Sequence, residues 1–321
     1  MNIIRGLNTD TDTQGGKYFD SNSIITVGTF DGLHLGHRKI IDILVHSGNE
    51  KNLRKVVVTF EPHPRLVLKK ANKPGEIKIL TTLDEKISIF ESYGIDTIFV
   101  IDFTMEFAST PAEKFYKIYL IDKIGLSYLV VGYDHMFGKN REGSIVTIKS
   151  LSEEYKFNVL RVEEFKLDSH IVSSTLIRKL LLDTNVKEAS ELLGRNYSLT
   201  GKVIYGDRRG KTMGFPTINI KPSDENKLIP GNGVYFVKVY VNDNYYFGMM
   251  NIGYRPTVND EQKIFSEIHI LDFNKDIYGE IVTVEFIDFL RHEKKFSSLE
   301  ELTKQLNKDK QIILEKTSLI K

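Results

Sequence analysis

The 321 residues are enough for two domains with separate cores, and Lys plus Arg (44) nearly cancels Asp plus Glu (43), leaving a net charge of +1. That balance supplies no global field for nucleic acid or a membrane surface, and no apolar run reaches membrane-spanning length. Without cysteine there is no disulfide, zinc thiolate site or cysteine nucleophile, and without a secretory h-region the expected compartment is the cytoplasm.

Residues 1–23, polar and turn-rich around 10–16, read as a lead-in without chemistry. Ile24-Ile25-Thr26-Val27 is a short apolar run that stops at Gly28, as a buried strand of a parallel sheet does. The loop Gly28-Thr29-Phe30-Asp31-Gly32-Leu33-His34-Leu35-Gly36-His37 carries three glycines that permit a tight turn and close ligand approach. Ile40, Ile41 and Leu44 then recur at helical spacing. The free N–H groups of that helix start form a phosphate site, with His34 and His37 in its first turn able to donate to phosphate oxygens. A surface turn with two incidental histidines is the bland alternative.

Val56-Val57-Val58-Thr59-Phe60 is a second buried strand, ending in Glu61-Pro62-His63-Pro64. Its two prolines make a stiff loop at a strand's C-terminal end, either a rigid connector or a wall of a site. Thr82 with Glu85 predicts a capping box for a helix to residue 93, and residues 97–101 the next strand. Thr110, Pro111 and Glu113 predict another helix start capped by Thr110. Tyr128-Leu129-Val130-Val131 is a fourth strand, followed by a Gly132-to-Gly138 loop containing Asp134, with Arg141 and Gly143 after it; residues 159–162 are a fifth. Strands alternating with helices argue for a doubly wound parallel sheet. Val172-Ser173-Ser174-Thr175-Leu176-Ile177-Arg178 places three hydroxyls at a helix N-terminus with a guanidinium one turn in, a second phosphate cradle; an N-cap with an exposed Arg explains one Ser but not the cluster.

Residues 183–200 read as a boundary, giving domains 1–185 and 186–321. Beyond it the pattern is nearly all-β, with strand-like segments at 234–241, 245–250, 264–270 and 281–287; in the last, Val282, Val284 and Phe286 share one face. Several short strands with Gly, Asn and Asp turns predict an antiparallel barrel, and Ser298 with Glu301 caps a final helix long enough to cover an open barrel end. Gly206 to Gly210, with Lys211 and Thr212, is one residue too short for a P-loop. In Gly214-Phe215-Pro216-Thr217-Ile218-Asn219, Thr217 and Asn219 point the same way in extended chain, and their oxygens suit Mg²⁺ held mainly by substrate phosphates. A polar turn entering a strand is the alternative. Glu267 lies on the opposite strand face from Ser266, Ile268 and Ile270.

The H-x-G-H string resembles the signature of the nucleotidyltransferase superfamily. The longer run 28–37, the Thr59-to-Pro64 string, the 130–138 loop and the S-S-T-x-x-R motif resemble prokaryotic bifunctional riboflavin kinase/FAD synthetases. Residues 210–219, the E-x-H strand of Glu267, Asn251-Ile252-Gly253-Tyr254-Arg255-Pro256-Thr257 and Phe289-Leu290-Arg291-His292-Glu293 are similar to strings of the kinase half. The resemblance implies an N-terminal Rossmann-like domain that adenylylates FMN to FAD with release of pyrophosphate. It implies a C-terminal flavokinase barrel with a terminal helix that phosphorylates riboflavin with ATP. It assigns catalysis to Glu267 as base and to His34, His37 and Arg178. Ligand binding in the first half falls to Gly28, Phe30, Asp31, Gly36, Asp134, Arg141, Ser173, Ser174 and Thr175. In the second half it falls to Gly201, Gly206, Gly210, Lys211, Gly214, Phe215, Pro216 and Arg291, with Thr217 and Asn219 on the metal, Mg²⁺ or alternatively Mn²⁺. Both phosphate cradles would converge on one triphosphate. Riboflavin, FMN and ATP are the expected partners, with no nucleic acid or membrane, and weak self-association is compatible with the chain. Met136 stands where a basic residue is expected in such a loop. A single retained activity, or a flavin-binding regulatory protein, are the rival readings.

Overall fold

Strands that read as unbroken apolar runs are those covered on both faces, and the computed structural model builds one sheet from them. It describes residues 1–6, 17–68, 78–133, 135, 136, 138, 143–167, 170–205, 214–256 and 262–318. The turn-rich stretch 10–16 and the site candidates Asp134, Arg141, Gly206, Gly210 and Lys211 lie outside them, as do Phe137 and Thr257. The chain divides into two compact units, Met1–Ser173 and Ser174–Lys321, a division ahead of the 185/186 boundary expected from the sequence.

The first unit runs β1 (Asn2–Arg5), β2 (Ser23–Val27), α1 (Leu35–Lys51), β3 (Arg54–Glu61), α2 (Pro64–Val67), α3 (Leu83–Ser92), β4 (Thr97–Asp102) and α4 (Met105–Ala108). It continues with α5 (Ala112–Lys114), which passes into a π-helical segment (Phe115–Ile124), then β5 (Leu126–Gly132), α6 (Ile145–Tyr155), β6 (Asn158–Val162) and a small pair, β7 (Lys166–Leu167) and β8 (His170–Ile171). The six-stranded sheet has the order β1-β4-β3-β2-β5-β6, every pair parallel. Alternate residues serve opposite faces: Val56, Val58 and Phe60 join one buried cluster with the π-helical segment and α6, while Val57 joins Ile41 and Leu44 of α1 and Phe90 of α3 on the other. Each such fully buried aliphatic contributes about 1.5–3 kcal/mol. Strand order reverses at β2, so the C-terminal ends of β2 and β5 form the switch point where open α/β sheets bind ligands.

The capping box of α3 is present, with Glu85 N–H donating to Thr82 Oγ1 at 3.3 Å and Thr82 N–H to Glu85 Oε2 at 2.9 Å. Two expectations need correction. The lead-in contributes β1, an exposed edge strand paired with β4. Thr110 does not cap α5, which follows Pro111 with no side-chain cap; Thr104 instead caps α4, accepting from Phe107 N–H at 3.0 Å.

The second unit opens with α7 (Ser174–Leu182) and α8 (Val186–Leu193), then β9 (Tyr197–Ile204), β10 (Ile218–Pro222), β11 (Gly233–Val241), β12 (Asn244–Pro256), β13 (Gln262–Ile270), β14 (Ile281–Arg291) and α9 (Leu299–Ser318). The six strands close a barrel in the order β10-β13-β12-β11-β14-β9, all pairs antiparallel. Val282, Val284 and Phe286 turn inward as their alternation requires. Gly201 is demanded by packing, since a Cβ there would lie 2.5 Å from both the Ile220 methyl and the Lys221 carbonyl of β10. The terminal helix seats Leu306 and Ile313 on a barrel cluster containing Phe215, Phe236 and Met249.

Candidate active sites

At the C-terminal ends of the sheet strands lies a cavity of about 790 Å³. One wall is Gly28, Thr29, Phe30 and His37; Phe60, Phe103, Met105 and Phe107 make an apolar wall, and Gly132, His135, Met136 and Gly138 line it after β5. The Gly28 N–H donates to the Val58 carbonyl at 3.0 Å, fixing where the loop leaves β2. Phe30 and Leu33 hold left-handed φ values of 48° and 40° around Gly32. Asp31 stabilises that contorted path: buried to 2% exposure, its Oδ1 accepts from Leu80 and Thr81 N–H at 2.8 and 3.0 Å, while Gly32 N–H donates to Thr81 Oγ1 at 2.9 Å. Expected on the ligand, the Asp31 carboxylate is instead engaged beneath the loop and does not line the cavity. Phe30 does line it, with its ring edge-on to His37 at 5.3 Å and to Phe90 at 5.5 Å.

His34 is the N-cap of α1, its Nδ1 accepting from His37 N–H at 3.3 Å. With Nδ1 as acceptor, the neutral ring carries its proton on Nε2; His34 is buried at 6% exposure and is not among the residues that line the cavity. The His34 and His37 rings stack at 3.7 Å, 17° apart. A Cβ on Gly36 would lie 3.2 Å from the His34 ring and 3.6 Å from the Val172 carbonyl, so the chain just before Ser173 runs beside this turn. Ser174, Thr175 and Arg178 belong to α7 of the second unit, where Ile177, Leu180 and Leu181 are the buried face and Thr175 is exposed.

Two groups at this site have no forewarning in the sequence motifs. Lys86 of α3 is 2% exposed with Nζ 3.4 Å from the Thr29 carbonyl. Burial lowers its pKa, opposed by the carboxylates of Glu61 and Asp31. Its only signal is a lysine on the apolar stripe Leu83, Lys86, Phe90. His135 has Nε2 2.9 Å from the hydroxyl of fully buried Tyr116. Burial brings that imidazole down to about 4 and raises the phenol. His63, in the proline loop, is buried and caps α2 by accepting from Arg65 N–H at 3.1 Å, while Pro64 and Arg65 of the same loop line the cavity.

In the barrel, register brings distant residues into one row: Asn219 of β10 and Asn251 of β12 both pair with Glu267 of β13. Thr217 Oγ1 donates to Glu267 Oε1 at 2.5 Å, and Asn219 is buried at 7% exposure. His269, two residues after Glu267, donates from Nδ1 to the Pro216 carbonyl at 2.8 Å, and its ring meets Phe215 edge-on at 5.0 Å. Burial lowers the His269 pKa, which favours the neutral ring in that contact. It thus holds the Phe215-Pro216-Thr217 turn against β13. Gly214 enters the turn at φ 77°. A hydroxyl, a carboxamide and a carboxylate in one row are hard-oxygen donors, a set that fits a magnesium ion completing its shell from phosphates and water.

Arg291 has a different employment from the ligand contact expected of it. Its Nε donates to Asp309 Oδ2 at 2.9 Å and Nη2 lies 2.8 Å from the same carboxylate, which is 1% exposed on α9. A bidentate pair with a buried carboxylate ties the barrel to its terminal helix. Glu293 accepts from Asn232 and Asn251 amides at 3.0 and 3.1 Å, binding the start of β11 to β12.

The chain matches the FAD synthetase family over residues 17–176 and the riboflavin kinase family over residues 193–317. It is 38% identical to a bifunctional riboflavin kinase/FMN adenylyltransferase of Listeria monocytogenes over 92% of each chain, and 39% identical to one of Buchnera aphidicola over 96% of each. A crystal structure described as a macrolide-efflux protein from Streptococcus pneumoniae matches with a TM-score of 0.86 at 30% identity, covering 98% of this chain and 99% of that one. Among the described residues of the present chain, no helix is long and apolar enough to cross a membrane. With both family matches in order, and identity above 30% sustained over nearly the full length, the chain belongs to the bifunctional riboflavin kinase/FMN adenylyltransferase family.

Proposed function

We propose that the two units catalyse consecutive transfers from ATP: riboflavin to FMN in the barrel, then FMN to FAD at the parallel sheet. The observation that carries the first step is the Thr217–Glu267 hydrogen bond with Asn219 in register beside it. Glu267 accepts the proton of the flavin's terminal hydroxyl as that oxygen attacks the γ-phosphorus of ATP; the bond to the β-phosphate bridging oxygen breaks and ADP leaves. Thr217 and Asn219 would hold a magnesium ion, which when bound neutralises phosphate charge. Gly214, Phe215 and Pro216 shape the turn that presents Thr217, and His269 keeps it in place.

In the second step an FMN phosphate oxygen attacks the α-phosphorus of ATP and pyrophosphate leaves, with no covalent enzyme intermediate. His34 Nε2–H, His37 and the N–H groups at the start of α1 stabilise charge on the phosphates. Gly28 and Gly36 keep the backbone open to them, Asp31 and Lys86 hold the loop from beneath, and Phe60, Phe103 and Phe107 offer an apolar wall to a planar ring. We assign Ser173, Ser174, Thr175 and Arg178 to phosphate binding in this step, which sets the functional boundary after residue 185 although α7 packs with α8 of the second unit. Near-neutral charge supplies no global field for nucleic acid or a membrane surface, in keeping with an enzyme of small molecules that we place in the cytoplasm.

The test is chromatography of riboflavin incubated with purified protein, ATP and Mg²⁺, repeated from FMN. FMN and then FAD in the first run, and FAD in the second, is the expected result. FMN that accumulates without FAD would remove the sheet cavity from the mechanism, and no conversion would leave a flavin binder.

A further inference from the structure

His135 sits on the cavity wall after β5 and is bonded to a tyrosine that no solvent reaches. Tyr116 is 0% exposed and its hydroxyl has His135 Nε2 as its hydrogen-bond partner among the described residues. If the imidazole donated to the phenol oxygen, the hydroxyl proton would be stranded in the interior at a cost of about 1–3 kcal/mol. The phenol therefore donates, Nε2 accepts, and the neutral ring carries its proton on Nδ1. Burial keeps both groups uncharged, the imidazole by bringing it down to about 4. Nδ1 has no protein partner among the described residues, so its N–H is what His135 can offer a ligand.

The chemistry of that offer is specific. The phosphates are already met by the glycine loop and the start of α1; after β5, on a wall shared with Met136 and Gly138, His135 presents one neutral N–H. It suits an uncharged acceptor, a ring nitrogen or ring carbonyl, on a planar heteroaromatic lying against apolar walls. We infer that His135 is a specificity-determining residue of the adenylylation cavity, donating from Nδ1 to such an acceptor on the flavin or the adenine, and that Tyr116 is the positioning residue that fixes its tautomer. This rests on the adenylyl-transfer reading of the cavity.

Side-chain length separates donation from packing. Asn at 135 can place an amide N–H near the position of Nδ1, whereas Gln reaches toward Tyr116 and leaves the Nδ1 position empty. In the full-length protein, His135→Gln should raise KM for one substrate, FMN or ATP, about 10-fold with kcat nearly unchanged, the scale of one neutral hydrogen bond. His135→Asn should stay within about 3-fold of the parent, and Tyr116→Phe should raise the same KM by about 3-fold. Which KM moves identifies the ring. Nitrogen NMR of the parent protein should show the Nδ1–H tautomer. Asn and Gln variants that behave alike, equal shifts in both KM values, no shift in either, or an Nε2–H tautomer would each overturn the inference. The sheet unit's own transition in denaturant unfolding reports that every variant is folded, and a parent protein without FAD synthesis would mark failure of the underlying reading instead.

Discussion

The two halves place their chemistry on opposite kinds of structure. In the sheet unit the central strands β2, β3 and β4 are buried on both faces, so the site is made at strand ends: the loop after β2, the start of α1 and the segment after β5. In the barrel unit one face of each strand is available, and the site lies within the strands, where register alone sets Asn219, Glu267 and Asn251 side by side. A loop site depends on the bonds that hold the loop, here Asp31 to Leu80 and Thr81. A strand site depends on the ladder, and its supports, such as His269 to Pro216, are correspondingly few.

The sharpest break in that comparison is at Glu267. Glu267→Gln removes the base without disturbing the ladder, and FMN formation should fall by about 10³-fold while FAD formation from supplied FMN is retained. Loss of both activities in a flavin chromatography assay would refute independent sites. His34→Ala should do the reverse, lowering FAD synthesis by about 10²-fold or more with riboflavin phosphorylation retained. Unchanged FAD synthesis would take the H-x-G-H loop out of the mechanism.

Two stability measurements sharpen the same contrast. Asp31→Ala strips an acceptor from two buried backbone N–H groups and should destabilise the N-terminal unit by about 3 kcal/mol in denaturant unfolding, leaving the barrel transition in place. A melt unchanged from the parent would show that the loop is held by something else. The smaller effect is in pH. Burial takes the His135 imidazole from 6.5 to about 4, so the unfolded chain accepts this proton before the folded one. The stability this contributes is present above pH 6.5 and is lost as pH falls toward 4. Relative to His135→Asn, the parent should lose about 2 kcal/mol across that window, allowing for partial solvent access. Parallel pH profiles would contradict it.

What was legible in the sequence was what local physics decides. The Thr82–Glu85 capping box needs only four residues and is present in the structure. The alternation of Val282, Val284 and Phe286 and the apolar run at 56–60 each identified a strand from its own composition. The exposed edge strand β1 has no buried pattern to betray it. Strand β9 does alternate, with Tyr197, Leu199 and Val203 buried, but Gly201 interrupts the apolar positions and the stretch falls on the expected boundary at 183–200. The pairs that define the sites are the least local. Asp31 finds Leu80 and Thr81 about fifty residues away, Arg291 finds Asp309 across a helix boundary, and Tyr116 reaches His135 from a π-helical segment whose period no amphipathic pattern announces. Residue types suggested a shared role for Thr217 and Asn219 alone; the barrel register pairs Asn219 with Glu267, and a hydrogen bond joins Thr217 to the same carboxylate.

The central claim is that one chain carries two separable transfer sites, and complementation tests it most directly. Glu267→Gln and His34→Ala proteins would each be incubated with riboflavin, ATP and Mg²⁺, alone and mixed, and the flavins separated by chromatography. Each variant alone should fail to make FAD from riboflavin, while the mixture should make it, the His34→Ala barrel supplying FMN to the Glu267→Gln sheet site. A mixture that still makes no FAD would contradict the account.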